Sequence, residues 1–437
     1  MSKSRISAGP QAFAKGTGRR DLLKYTLAAG AAGIGARSAR AQAPVSLTMA
    51  IWGDRTSEIA HRNVIAKYQQ QKPNVDIKLE VTPFGQFYQQ IDTRLAGRQA
   101  PDMFRIQYQQ VGRYANGRTV VDLSPYLPAD YGSAFMPAMW QAVNYAGKAF
   151  AMPYHTDTIA LFYNVPLFEK LGIVAPTSLD KSWTWAEYTD IARRIKKDGG
   201  LPYATAMIWQ TSNAYRWLPF LYQHGGRVLE DDFKTPLIGS RLGIETIAWT
   251  QSFFKEGLSP ASTSIKSNEQ PQNLFANGTL GMYLGGDWHM SFLRDNMTTP
   301  WNVTYMPRDV AMASDMGGNC IAVSRDCKVP EVAADFLKFL ASEQSMRDFA
   351  RDGALLPIRT SLAHENLQYS YRPDAMKVFI EQATTIPENL ARTVGLPIWS
   401  RINQRLADQL DLAFTSDQSA ETTARNIDAA IRVITGA

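Results

Sequence analysis

The 437-residue chain is longer than one ordinary hydrophobic core requires, and its 45% hydrophobic and 20% charged residues exclude a disordered polymer. The formal net charge of +6 invites a nucleic-acid or anionic-membrane partner, but eight of the Lys/Arg lie within residues 1–41 against a single acid, Asp21. The rest of the chain is then near −1, so nucleic acid is excluded as an expected partner.

In chain order, the basic leader comes first. Thr17-Gly18-Arg19-Arg20-Asp21-Leu22-Leu23-Lys24 precedes an uncharged stretch of twelve residues, Tyr25 to Ala36. That stretch is too short to span a bilayer and fits the apolar region of a signal peptide. The adjacent arginines followed by Leu-Leu-Lys resemble the twin-arginine export signal, and Arg37 and Arg40 beyond the apolar region suit that route. Ala39-Arg40-Ala41 supplies small residues for a signal peptidase. Residues 1–41 are therefore expected to be removed before Gln42 and the product to be periplasmic. With no Cys after the apolar region and no later uncharged stretch of spanning length, neither a lipid anchor nor a membrane helix is expected.

Val45–Trp52 alternates and is rich in strand formers, so it predicts a strand. Gly53-Asp54 turns into a helix over about 57–70, capped by Thr56 or Ser57 and ended by Lys72-Pro73-Asn74. Val75–Val81 predicts a second strand, Phe87–Ala96 a second helix, and a short apolar strand follows Pro101-Asp102. This rhythm predicts a parallel sheet covered by helices. A second unit opens with a strand at Ile159–Tyr163. Thr184-Trp185-Ala186-Glu187 is a capping box, and the helix it opens closes on Lys196, Lys197 and Gly199-Gly200. Further helices are expected at Ile244–Lys255, Pro330–Leu340, 398–414 and 420–434, with strands at Leu280–Leu284 and Ile321–Ser324. Cys320 and Cys327 are too few for a disulfide framework; in an oxidising compartment they either bridge or remain unrelated thiols.

Catalytic patterns are missing from the sequence. There is no G-x-S-x-G, Walker loop, H-E-x-x-H or C-x-x-C, and the five histidines (His61, His155, His224, His289, His364) have no metal-ligand spacing. Neither a metal nor a cofactor is expected, and the chain is not expected to be an enzyme; a secreted glycoside hydrolase stands as the alternative from another class, because carboxylate separation is invisible in sequence. Ten Trp and 18 Tyr suit the apolar faces of sugar rings, with carboxylates and amides for the hydroxyl rim.

Several blocks in order resemble the extracellular solute-binding proteins of ABC importers, carbohydrate type (the maltose-binding-protein-like family). They are Val45 through Lys72-Pro73-Asn74-Val75; Ile91–Ala96 with Ala100-Pro101-Asp102-Met103; Gly147–Tyr154 with Thr156–Asn164 and Leu167–Gly172; Asn277–Met282 leading to Asp287-Trp288; and Gly317–Ser324 with the Pro330–Leu340 helix. The resemblance implies an α/β, two-lobed periplasmic-binding-protein (type II) fold, with a hinge and a ligand cleft between the lobes. It implies a monomer that captures a small carbohydrate and presents it to the importer's membrane permease subunits. The lobes are expected at 44–157 plus 297–325 and at 158–296 plus 326–437, with a first crossing near Tyr154–Thr158.

The same resemblance assigns ligand-binding positions. Trp288 and Trp399 match sugar-stacking positions, and Gly286 lets backbone approach the ligand. Asp157 and Asp54 accept from hydroxyls, beside Trp52. Asn213 and Tyr215 line the second lobe, and Gly318 and Asn319 end a strand facing the cleft. Gln107 and Gln109 stand where maltose binders carry other groups, which points to a sugar other than maltose. Arg105 and His155 either serve an acidic ligand group or are structural. A polyol, a glycerol phosphodiester or an acidic sugar derivative is the alternative ligand.

Overall fold

Among the described residues the strands of four or more residues pair into two separate sheets. The computed structural model describes residues 43–437 except Asp54, 210–213, 354 and 364; the leader, Asp54 and Asn213 lie outside the described residues. Among the described residues the strands of four or more residues are Val45–Trp52 (β1), Val75–Thr82 (β2), Met103–Gln107 (β3), Met152–His155 (β4), Ile159–Asn164 (β5), Met282–Gly286 (β6), Trp301–Thr304 (β7) and Asn319–Val323 (β8). The principal helices are Arg55–Gln71 (α1), Phe84–Ala96 (α2), Trp185–Asp198 (α3), Arg241–Lys255 (α4), Pro330–Leu340 (α5), Glu343–Gly353 (α6), Pro373–Ala383 (α7), Trp399–Thr415 (α8) and Ala420–Thr435 (α9).

The first sheet has the order β2-β1-β3-β8-β4. β1 runs parallel to β2 and β3, as the βαβαβ rhythm requires, with Val45 opposite Val75 and Met49 opposite Met103. β8 then returns antiparallel against β3 and β4, so the sheet is mixed rather than wholly parallel. The second sheet is antiparallel, in the order β6-β5-β7. The chain is thus two-lobed α/β, and Pro44–Ala437 still forms one compact unit.

Helix starts follow their local chemistry. Ahead of α3 the Thr184 Oγ1 accepts from Glu187 N–H at 3.2 Å and the Glu187 carboxylate accepts from Thr184 N–H at 2.7 Å, the expected capping box. α1 buries Ala60, Val64, Ile65 and Tyr68 on one face at helical spacing.

Two segments depart from the expected lobe boundaries. β7 lies within 297–325, expected in the first lobe, but pairs residue for residue with β5 in the second sheet, Leu161 opposite Thr304. α5 and α6, expected with the second lobe, pack on α1 instead. Tyr68 meets the rings of Phe336 and Phe339 at 5.2 and 5.4 Å, and its hydroxyl donates to Asp335. The apolar stripe of α5 was legible; its partner was not.

The chain crosses between sheets at 156–158, as expected, and again between β7 and β8. A third stretch runs alongside the first, with Thr156 N–H donating to Leu356 O at 3.0 Å. Gly318 has φ +87°, and a Cβ there would sit 2.5 Å from Thr156 Cα, so glycine lets the first two crossings lie against each other. Cys320 and Cys327 are free, buried thiols, Cys320 near the start of β8. Among the described residues no helix is long and apolar enough to cross a membrane.

Candidate functional site

Strand direction gathers the site. The carboxyl ends of β1, β3, β4 and β6 and the amino end of β8 deliver Trp52, Gln107, His155, Asp287-Trp288 and Asn319 to one cleft, the usual position for a ligand in open α/β sheets. The cleft encloses about 670 Å³ and takes its walls from both lobes. Period-two alternation along β3 turns Arg105 and Gln107 to the cleft and Ile106 into the core, where it is fully buried.

Each wall carries an indole against a guanidinium. On the first-lobe wall Arg105 stacks over Trp52 at 4.6 Å. Its Nη1 donates to Trp52 O (2.7 Å) and Ser57 Oγ (3.2 Å), and its Nη2 donates to His155 Nε2 (3.3 Å). Asn319 Nδ2 donates to the same His155 nitrogen at 3.1 Å. Two donors converging on Nε2 make it the acceptor, so the proton sits on Nδ1, which donates to Thr156 O at 3.0 Å. His155 is therefore neutral. Burial, and then the charge of Arg105, pushes its pKa well below the ordinary value, in agreement with that tautomer.

On the second-lobe wall Arg216 stacks over Trp288 at 4.4 Å. Its Nη1 donates to Asp315 Oδ2 at 2.5 Å, and Asp157 stands 3.9 Å from its Nη2. Asp157 belongs to the first crossing and Asp315 to the second, so one guanidinium spans both. Asp287, fully buried, accepts from Thr158 N–H at 3.0 Å through Oδ1, while its Oδ2 has no partner. Burial raises all three carboxyls. Asp315 is pushed up to about 6 despite Arg216, and Asp287 rises well above the carboxylate range through burial and the neighbouring Asp157. Asp157 also rises by burial, against the opposing pull of Arg216. Asp157 Oδ1 has no hydrogen-bond partner. An aromatic face, a cation and carboxyl oxygens without hydrogen-bond partners thus meet at this wall, the mix that recognises rings bearing hydroxyls.

The expected site residues divide. Trp52, Gln107, His155, Asp157, Trp288 and Asn319 line the cleft. Gly286 acts behind it: a Cβ there would stand 1.9 Å from the Trp288 ring, so the missing side chain leaves the indole its place. Gln109 is buried and donates to Met316 O at 2.7 Å, bracing the second crossing rather than facing the cleft. Tyr215 is buried under Arg216, which lies 5.0 Å over its ring, and its N–H donates to Asn403 of α8. Trp399, expected as a second stacking plate, opens α8 with its indole in the core at 2% exposure and does not line the cleft. Gly318 has the backbone role given above. Asp54 and Asn213 lie outside the described residues.

Sequence reasoning missed Arg216, Asp287, Asp315, Ser57 and Phe84. Asp287 stood beside Trp288 in a quoted block, and its place at the end of a strand was the available signal. Arg216 gave none, because its acids are far away in the chain. Among the described residues no group of His, Cys, Asp and Glu is placed to hold a metal ion.

Comparison with known proteins agrees with this architecture. The family described as bacterial extracellular solute-binding protein matches residues 53–347. The diacetylchitobiose binding protein DasA of Streptomyces coelicolor is 22% identical over 326 residues, 72% of this chain and 74% of that one. The galactooligosaccharide-binding protein of Bacillus subtilis is 22% identical over 393 residues, 87% of this chain and 90% of that one. The crystal structure of the cyclic α-maltosyl-1,6-maltose binding protein from Arthrobacter globiformis superposes with a TM-score of 0.76 at 18% identity, covering 90% of this chain and 99% of that one. At that identity the superposition establishes the fold.

Proposed function

The chain belongs to the bacterial extracellular solute-binding proteins, and from that premise we propose that it captures a carbohydrate in the interlobe cleft and delivers it to the permease subunits of an ABC importer. The observation that carries this reading is the cleft of about 670 Å³ faced by Trp52 and Trp288, with the Asp157 and Asp287 carboxyls beside the second indole. That volume suits a small ligand, and aromatic plates with a few convergent polar groups suit a sugar. Relatives named for diacetylchitobiose and galactooligosaccharide support the ligand class. The lobes close about the crossings at 156–158 and 305–318 when ligand bridges the walls.

Titrating mono- and oligosaccharides against intrinsic tryptophan fluorescence is expected to give a saturable change with at least one sugar, since both indoles line the cleft, and no new product after long incubation. Turnover of the bound sugar would sink the transport reading in favour of a hydrolase.

Export by the twin-arginine route to the periplasm is part of the proposal and rests on Arg19-Arg20 ahead of the short apolar stretch. Replacing both with lysine is expected to leave the precursor in the cytoplasm, read by fractionation. Undiminished export of the double-lysine variant removes that route.

A further inference from the structure

Charge is divided unevenly between the two walls of the cleft. On the second-lobe wall Arg216 has Asp315 and Asp157 as counter-ions. On the first-lobe wall Arg105 is 6% exposed and binds neutral acceptors: Trp52 O, Ser57 Oγ and His155 Nε2. No carboxylate among the described residues pairs with it, and its Nε has no hydrogen-bond partner. A buried cation keeps its desolvation cost when no opposite charge returns Coulomb energy.

Among the described residues the neighbouring groups leave that positive charge standing. His155 accepts from Arg105 and is neutral, so it neither adds to the charge nor cancels it. The charge is felt by its surroundings: after burial itself, Arg105 is what holds His61 at about 3. Arg55, Thr56 and Ser57 of the first turn of the 17-residue α1 line the cleft, so the positive end of the helix dipole faces it too, while Glu58 of that turn is paired with Arg62 at 2.8 Å. Among the described cleft acids Asp157 feels Arg105, but more weakly than it feels Arg216, 3.9 Å away.

We propose that this corner, built from Arg105, the first turn of α1 and Asn319, binds an anionic substituent of the sugar, a carboxylate or a sulfate, so that the ligand is an acidic oligosaccharide. The inference rests on the carbohydrate reading above and adds a polarity to it. The acidic group lies at Arg105, and the hydroxyl-bearing remainder lies along Trp288 and Asp157.

Calorimetric titration with matched series tests this: oligogalacturonates, sulfated galactose oligomers, and neutral galactose oligomers of the same length. One acidic series is expected to bind at least about tenfold more tightly than its neutral counterpart, and the winning series identifies the group. Its affinity should weaken as salt is raised from about 0.05 to 0.5 M, more than that of any neutral sugar. In Arg105→Gln the ratio of acidic to neutral affinity should collapse towards about one. The preference and its salt dependence are read on the unaltered chain, so they decide the matter even if the variant does not fold. Neutral sugars binding as well as their acidic counterparts would overturn this inference and leave the carbohydrate reading intact, as would a folded Arg105→Gln that keeps the preference. Binding of no sugar in any series overturns both.

Discussion

Arg216→Met is expected to lower stability at about pH 7.5 by about 3–5 kcal/mol, measured by urea unfolding. The guanidinium is 6% exposed, bonds to Asp315 and stacks on Trp288, and it faces Asp157. Methionine fills much of the volume but answers none of the charge. Breaking a buried pair by removing one partner costs more than the pair contributes, because the remaining charge stays buried and unpaired. Here the remainder is three carboxyls, two of them in the crossings between sheets. A loss below about 1 kcal/mol would show that water reaches these acids and that their burial is not the governing term.

The pH dependence of that loss separates charge from packing. An acid whose folded pKa is raised is favoured in its protonated form by the fold. The stability it contributes is full below its unfolded value and is lost as pH rises through its folded value, about 6 for Asp315. Asp287 and Asp157 are raised in the same direction by burial. Removing Arg216 takes away the cation that holds Asp315 and Asp157 down, so both move higher still. The deficit of Arg216→Met relative to the parent should therefore be largest above about pH 7 and shrink towards about pH 5, as the buried acids take up protons. A deficit unchanged across that interval would assign the loss to packing.

Much of the secondary structure was legible because its signals are local. Val45–Trp52 and Pro330–Leu340 emerge with the expected boundaries, and the capping box at Thr184 and Glu187 forms as its spacing requires. The positions that the family resemblance implied, Trp52, Asp157, Trp288 and Asn319, line the cleft. What failed were statements about partners. The stripe on α5 says that something covers it, but not that Tyr68 does. Trp399 shows how a position match misleads: the indole follows Pro397-Ile398 as expected, yet the turn into α8 points it at the core. Arg216 was missed because a lone arginine beside Tyr215 looks like surface until two crossings bring Asp157 and Asp315 to it.

Trp288→Ala is expected to weaken sugar binding about 30-fold, roughly 2 kcal/mol, while the protein stays folded. The second half follows from exposure, since the indole is only partly buried and lines the cleft at the edge of the core it packs against. The first half follows from preorganisation. Gly286 behind the ring and Arg216 at 4.4 Å fix the plane of the indole before any ligand arrives, so stacking requires little further ordering. Two companion variants make the argument specific. Gly286→Ala places a Cβ where the ring lies and should displace the plate, reproducing much of the loss with Trp288 still present. Trp288→Phe keeps a smaller aromatic face and should recover part of it. Calorimetry with the tightest sugar found in the fluorescence titration reads all three. An affinity within about threefold of the parent in Trp288→Ala would remove this residue from the ligand contact. The cleft would then bind through the Trp52 and Arg105 wall, and the placement of the sugar remainder along Trp288 would fall.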